Sequence, residues 1–138
     1  MILHHIRSLL ISAINIEGEV LYADRVYSGQ APQDATTPYL VQHLISQTNG
    51  HTHDGPNDFV TGRLQINCFA GTYELAHDLA AQVNQQLDGA KAAAAISTVK
   101  LIYIERDRTY DLPTPTPMGR ELPIEYGVGI DYRFAHHA

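Results

Sequence analysis

The sequence contains one cysteine, no long hydrophobic run and no surplus of positive charge, and each of these absences excludes a class of protein. The single cysteine, Cys68, cannot form a disulfide within the chain. No stretch approaches the roughly 20 consecutive apolar residues of a transmembrane helix. Residues 1–16 lack the basic start and the small-residue cleavage site of a secretory signal. We therefore expect neither secretion nor a membrane partner.

Positive charge is scarce. The 9 Lys and Arg residues are outnumbered by 15 Asp and Glu residues, which gives a formal net charge of −6. Because tight nucleic-acid binding depends on many contacts between basic side chains and phosphates, this balance disfavours a nucleic-acid-binding surface. The 138 residues, of which 44% are hydrophobic, are enough to bury one core, so we expect a single domain over residues 1–138.

The clearest pattern of the chain lies between residues 57 and 89. Side chains alternate from Val60 to Ala70, which predicts a half-buried strand with its apolar side chains on one face. Arg63, Gln65 and Phe69 fall on the other face. After Gly71 the period changes, and apolar residues at intervals of four predict an amphipathic helix over 73–88, with Thr72 as its N-cap. The residues of the apolar stripe are Leu75, Leu79, Val83 and Leu87, with Ala76 and Ala80 beside them.

The remaining segments complete the predicted fold. The patterns predict a helix over 2–14, strands over 20–27, 39–45, 98–106 and 122–134, and polar connections over 47–58 and 106–120. The strand over 98–106 is apolar on both faces, which favours a place inside the sheet. Gly127 and Gly129 interrupt the last strand and indicate a bulge or a close approach of the backbone. This order predicts an α+β domain with a mostly antiparallel sheet and helices packed on one face.

Few residues are arranged for catalysis. The best metal candidate is the group His51, His53 and Asp54, which supports an alternative function as a small metal-dependent hydrolase. The segment is also a polar loop without a further ligand set of known spacing, so a solvated loop is the better interpretation. No nucleophile elbow and no glycine-rich phosphate loop precede a helix. We therefore expect no catalytic residue, no metal and no cofactor.

The order of these segments resembles the tail-completion proteins of long-tailed phages, also called tail terminators or head–tail joining proteins. The resemblance rests on the helix over 2–14, the strand over 62–70 that leads into the helix over 73–88, and the segment from Glu105 to Phe134. Its short motifs are Pro38-Tyr39, Gln65-Ile66-Asn67-Cys68-Phe69-Ala70, Leu87, Arg106-Asp107, Tyr110-Asp111, Arg120 and the run from Gly127 to Tyr132. The His51-Thr52-His53 loop and the Pro-Thr repeat that contains Pro113, Pro115 and Pro117 depart from the family pattern.

The resemblance implies a structural virion protein without catalytic activity. Such a subunit assembles as a homo-oligomer, typically a hexameric ring, that caps the tail tube and joins it to the head connector. Its expected partners are other copies of itself, the tail tube protein and the head completion or connector protein. DNA would pass through the lumen without specific binding. The expected location is the head-proximal end of the tail, after assembly in the host cytoplasm.

Interface residues are expected among outward-facing and charged positions, because a ring contact joins two different surface patches. Phe69 is the most informative of them, since an aromatic residue on a polar strand face indicates either a covering helix or a neighbouring subunit. A third possible function is a monomeric binding module that uses the Thr-Pro segment as a docking peptide. The candidate interface residues are Arg63, Gln65, Phe69, Arg106, Asp107, Arg108, Asp111 and Arg120.

Overall fold

The computed structural model describes residues 6, 15–16, 19–20, 25–31, 38–52, 55–87, 101–113 and 125–137. Its strands are β1 (Asn15–Ile16), β2 (Glu19–Val20), β3 (Val26–Ser28), β4 (Tyr39–Thr52), β5 (Gly55–Ala70), β6 (Leu101–Leu112) and β7 (Tyr126–His137). Helix α1 spans Tyr73–Leu87. Of the predicted helix over 2–14, Ile6 is described as helical, and the other residues lie outside the described ranges.

The strands form two sheets. Strands β1 and β2 pair antiparallel in a small two-stranded sheet, and the others form a five-stranded sheet in the order β3-β4-β5-β7-β6. β3 runs parallel to β4, whereas the other neighbours are antiparallel, so the large sheet is mixed. The predicted α+β class with a mostly antiparallel sheet and helices packed on one face is wrong, because strands make up most of the described residues and the fold is mainly β.

The main reason for this error is the length of two polar strand ends. Residues 47–58 were expected to form a connection, but residues 47–52 belong to β4 and residues 55–58 to β5, with Thr48 paired to Thr61 and Thr52 to Gly55. Backbone hydrogen bonds hold two paired strands together even where the side chains are polar, because strand pairing satisfies the backbone N–H and C=O groups. In the same way, β6 continues to Leu112 through part of the second expected connection, whose residues 114–120 lie outside the described ranges.

Two predicted strands have a different place in the sheet. The segment expected as one strand over 20–27 contributes Val20 to the small sheet and Val26–Ser28 to the large one. The strand predicted over 98–106 was expected inside the sheet, but β6 lies at its edge. Strand order is set by pairing between distant segments, and the local apolar pattern of a strand does not contain that information.

The core lies between α1 and one face of the large sheet. Strand β5 alternates as predicted, with Leu64, Ile66 and Cys68 fully buried on the core side. Thr72 caps the helix, because its hydroxyl accepts a hydrogen bond from Leu75 N–H at 3.2 Å. The rest of the buried cluster consists of Ile6, Val26, Leu40, Ala70, Ala76, Leu79, Ala80, Val83, Leu87, Ile104, Val128, Ile130, Tyr132 and Phe134. This packing leaves the opposite face of the sheet, here called the outer face, without α1.

Candidate subunit interface

The outer face carries most of the predicted interface residues. Successive side chains of a strand point to opposite faces, so the burial of Leu64 and Ile66 places Arg63, Gln65 and Phe69 on the outer face. The register of β5 with β7 sets them opposite Arg133, Asp131 and Gly127, respectively.

Six side chains form a charged layer on this face: Arg63, Glu105, Asp107, Arg108, Asp131 and Arg133. Arg63 Nη1 donates to Asp107 Oδ2 at 2.8 Å, and Arg108 Nε donates to Asp131 Oδ2 at 2.7 Å. Arg133 Nη2 lies 3.0 Å from Glu105 Oε1. Each arginine therefore has a carboxylate partner in the same chain. Because most of these groups are well exposed to solvent, each pair contributes little to stability.

A bulge in β6 creates this layer. The register with β7 shifts between Arg106 and Arg108, so one extra residue, Asp107, is inserted. As a result the neighbouring residues Asp107 and Arg108 both reach carboxylate or arginine partners of the outer face. Regular alternation would place them on opposite faces.

Tyr110 joins the charged layer to the middle of the sheet. Its hydroxyl donates to Asp131 Oδ1 at 2.9 Å and accepts a hydrogen bond from Gln65 Nε2. Burial raises the pKa of Tyr110, the bond to Asp131 raises it further, and the bond from Gln65 lowers it. The guanidinium of Arg108 lies 5.1 Å from the centre of the Tyr110 ring, within range of a cation–π contact. The hydrogen bond to Asp131, followed by the negative charge of that carboxylate, raises the pKa of Arg108.

An aromatic row lies beside the charged layer. The ring of Phe69 stacks on Tyr39 with centroids 4.9 Å apart, and Tyr27 meets Tyr39 edge-on at 6.0 Å. The Tyr39 hydroxyl donates to the carboxylate of Glu125 at 3.0 Å, and burial followed by this bond raises the pKa of Tyr39. Phe69 thus has an aromatic partner within the chain, and α1 lies on the opposite face. The ring of Tyr39, and not helix α1, therefore covers Phe69 on the outer face.

The remaining predicted residues lie elsewhere. Asp111 is on the α1 side, where its carboxylate accepts a hydrogen bond from the Tyr73 hydroxyl at 2.9 Å and lies 2.8 Å from His77 Nε2. Arg106 lines a groove between α1 and β6, together with His77 and Thr109. Arg120 lies outside the described ranges. The predicted set is thus divided between the two faces of the sheet.

The predicted metal group is described only in part. The backbone of His51 pairs with Pro56 where β4 ends and β5 begins, whereas His53 and Asp54 lie outside the described ranges. Within the described residues, no group of three or more His, Cys, Asp or Glu side chains is placed to hold a metal ion. In the same part of the chain, no helix is long and apolar enough to span a membrane.

Sequence reasoning missed Tyr39, Tyr110, Asp131 and Arg133 as members of this surface. The alternation of the last strand did place Asp131 and Arg133 on the face opposite its apolar residues. The alternation pattern does not show that β5 pairs with β7, and this pairing brings Asp131 and Arg133 next to Gln65 and Arg63.

Comparisons with known proteins agree with the resemblance in sequence. The family model described as Tail completion protein gp17 matches residues 14–124. A chain from the structure "Virion of native gene transfer agent (GTA) particle" is similar with a TM-score of 0.58 and 15% sequence identity, over 83% of this chain and 79% of that chain. At this identity the similarity shows a shared fold. No curated protein matches the sequence.

The matched range covers most of the chain and includes the central strand and helix from which the resemblance was argued. The resemblance to phage tail-completion proteins is thereby confirmed. The chain belongs to the family of Tail completion protein gp17 and is a structural protein of the virion.

Proposed function

We propose that this chain forms an oligomeric ring, typically a hexamer, that caps the phage tail tube and provides the joining surface to the head connector. Membership of the tail-completion family carries the proposal. The shared fold with a chain from a gene transfer agent virion supports a place in a phage-like particle. The ring would occupy the head-proximal end of the tail after assembly in the host cytoplasm. No catalytic step, metal or cofactor is part of this function.

The charges of the molecule suit a ring through which DNA passes without specific binding. The chain has a net charge of −6, and the arginines of the charged layer each have a carboxylate within 3.0 Å. A phosphate that approached these arginines would compete with carboxylates already in place. Retention of DNA by this surface is therefore disfavoured.

The division of the predicted residues between two faces also favours a ring. A closed ring uses a heterologous contact, in which one patch of a subunit meets a different patch of the next. The outer face presents Arg63, Gln65, Phe69, Asp107 and Arg108, whereas Arg106 and Asp111 belong to the α1 side of β6. These two patches are the candidate halves of the contact.

The first test is the mass in solution by light scattering, over a range of protein and salt concentrations. We expect six copies of the 15.3 kDa chain and a central hole in electron micrographs. A protein that assembles only on its partner would instead bind purified tail tubes that lack it and stop further tube growth. A chain that stays monomeric and also fails to bind such tubes would overturn the proposal.

Charge reversals then locate the contact. Arg106→Glu should weaken the ring, and unchanged assembly would remove Arg106 from the interface. Arg63→Asp should weaken it as well, but this change also breaks the pair with Asp107. The double variant Arg63→Asp/Asp107→Arg restores that pair in reverse. If the double variant assembles normally, Arg63 acts within the chain; if it does not, Arg63 faces a neighbour.

A further inference from the structure

The five-stranded sheet ends in two strand edges that have no neighbouring strand in the part of the chain that the structure describes. One is the outer edge of β6 along Leu101–Leu112. The other is the edge of β4 beyond Gln42, where β3 ends. There the carbonyl of Gln42 accepts a hydrogen bond from Gly29 N–H at 2.9 Å, and Gly29, with φ of 83°, departs from strand geometry directly after the last paired residue, Ser28. The edge of β4 over residues 43–52 is therefore open in the described structure.

Few of the usual features protect these edges from another strand. Proteins commonly guard open edges with charged side chains or proline. Residues 43–52 of β4 include no Asp, Glu, Lys, Arg or Pro, and the side chain of Ile45 is 56% exposed. Bulges are another protective feature, and the register with β5 shifts between Leu44 and Ser46 and between Asn49 and His51, but the strand continues through both positions.

The edge of β6 is charged, but three of its charges are held over the outer face. Glu105 pairs with Arg133, Asp107 with Arg63 and Arg108 with Asp131. These side chains therefore lean inward across the sheet and do not block its edge. Tyr103, which is 40% exposed, lies on the same strand. Among the side chains whose burial the structure describes, each edge thus carries one large exposed hydrophobic residue.

The strand directions match as well. Each neighbour in the series β4, β5, β7 and β6 is antiparallel to the previous one, so β4 and β6 run in opposite directions. When β6 of one copy lies beside β4 of the next, the sheet continues with antiparallel pairing. Such a contact joins two different edges, and repetition around an axis closes a ring.

We propose that the open edge of β4, residues 43–52, pairs with the edge of β6 of a second copy of this chain, and that this strand pairing joins the subunits. The proposal rests on the proposed ring. It differs from the two face patches named above in placing the contact at the strand edges, so the ring can exist without it.

Cysteine cross-linking tests the contact directly. Cys68 is fully buried and stays out of reach of reagents in the folded protein. Antiparallel pairing of residues 43–52 with β6 sets Ile45, near the start of the open edge, opposite the C-terminal part of β6 around Thr109. We introduce Ile45→Cys and Thr109→Cys, singly and together, and treat the oligomer with a flexible thiol cross-linker. The double variant should give a ladder of covalent multimers up to the full ring. A mixture of the two single variants should stop at dimers, and each single variant alone should give none.

A different strand paired with the β4 edge would give different covalent products. Covalent dimers of the Ile45→Cys variant alone would show β4 pairing with β4, and would overturn the proposal. A double variant that retains the mass of a ring without cross-links would overturn the strand contact and leave the ring intact. A wild-type chain that stays monomeric, together with the absence of cross-links, would overturn both.

Added charge gives an independent test. Ile45→Lys and Tyr103→Lys each place a charge at one edge. Asp78→Asn, on the exposed side of α1 and outside the groove that Arg106 lines, changes the net charge by the same amount and is the control. Both edge variants should raise the concentration at which half the chains are assembled by about tenfold or more, equivalent to about 1.4 kcal/mol. The control should assemble as the wild type does. Equal assembly of all three variants would contradict the strand contact.

Discussion

The ring of Tyr110 lies over Gly129 so closely that a Cβ atom at residue 129 would stand 2.5 Å from the ring. Gly129 is on β7 and pairs with Tyr110 on β6. An aromatic side chain laid across a glycine fills the space that the missing side chain leaves, and this compensates for the weakness of glycine in a strand. Gly127 has the same relation to Phe69 and Leu112. The close approach expected at these two glycines is therefore made by side chains of neighbouring strands.

The variant Gly129→Ala should destabilise the protein. Its methyl group would displace the Tyr110 ring and strain the hydrogen bond from the Tyr110 hydroxyl to Asp131. Overpacking of this kind costs about 1–3 kcal/mol, which urea unfolding followed by circular dichroism would measure.

The control for this prediction is a double-mutant cycle with Tyr110→Ala. With the ring removed, the added methyl group has room, so Gly129→Ala should cost much less in that background. An equal cost in both backgrounds would mean that the ring is not the source of the strain.

The variant Thr72→Ala should weaken α1 at its first turn. It removes the hydroxyl that accepts the hydrogen bond from Leu75 N–H. Loss of an N-cap costs about 1 kcal/mol, to be read from the midpoint of urea unfolding. Thr72→Ser keeps the hydroxyl and should stay close to the wild type. If serine and alanine proved equally destabilising, the cap would not be the cause.

The cap and stripe of α1 were predictable because both depend on neighbours within one or two turns of the helix. Thr72 stands directly before the first helical residue, and Leu79, Val83 and Leu87 follow at intervals of four and are fully buried. The alternation of β5 was predictable for the same reason. In each case the signal lies within a short window of sequence.

The strand segments 47–52 and 55–58 and the charged layer depend on distant residues instead. Polar side chains such as Thr48 and Asn49 carry no sign of a strand, because the hydrogen bonds that hold them are made by the backbone of β5. The bulge at Asp107 follows from the register of β6 with β7. Neither the pairing of strands nor the bulge can be obtained from a local pattern, which is why the fold class was wrong.

High pH should destabilise the protein through Tyr39. Burial and the bond to Glu125 raise the pKa of Tyr39 above its ordinary value of 10.0. Below this value the tyrosine is neutral in both states, and its contribution to stability is fully present. As the pH rises above 10.0, Tyr39 ionises in the unfolded chain but stays neutral in the folded protein, so the free energy of unfolding falls. Linkage gives at most about 1.4 kcal/mol per pH unit for one such proton.

Measuring urea unfolding at several pH values between about 9 and 11.5 tests this effect. Tyr39→Phe removes the ionisable group, so its stability should fall less steeply with pH than that of the wild type. The comparison between the two slopes isolates Tyr39 from the other tyrosines. Parallel curves for the two proteins would contradict the prediction.

The variant Phe69→Leu should separate the internal role of Phe69 from a role between subunits. Leucine keeps an apolar side chain over Gly127 but loses the stacked contact with Tyr39, at 4.9 Å between ring centres. If the contact acts within the chain, the free energy of unfolding of dissociated subunits should fall by about 0.5–1.5 kcal/mol. Phe69→Leu should then show a smaller effect in a Tyr39→Leu background, because the stacking partner is already absent.

If Phe69 faces a neighbouring subunit, the subunit keeps its stability and the mass of the oligomer falls instead. Light scattering and urea unfolding on the same samples distinguish the two results.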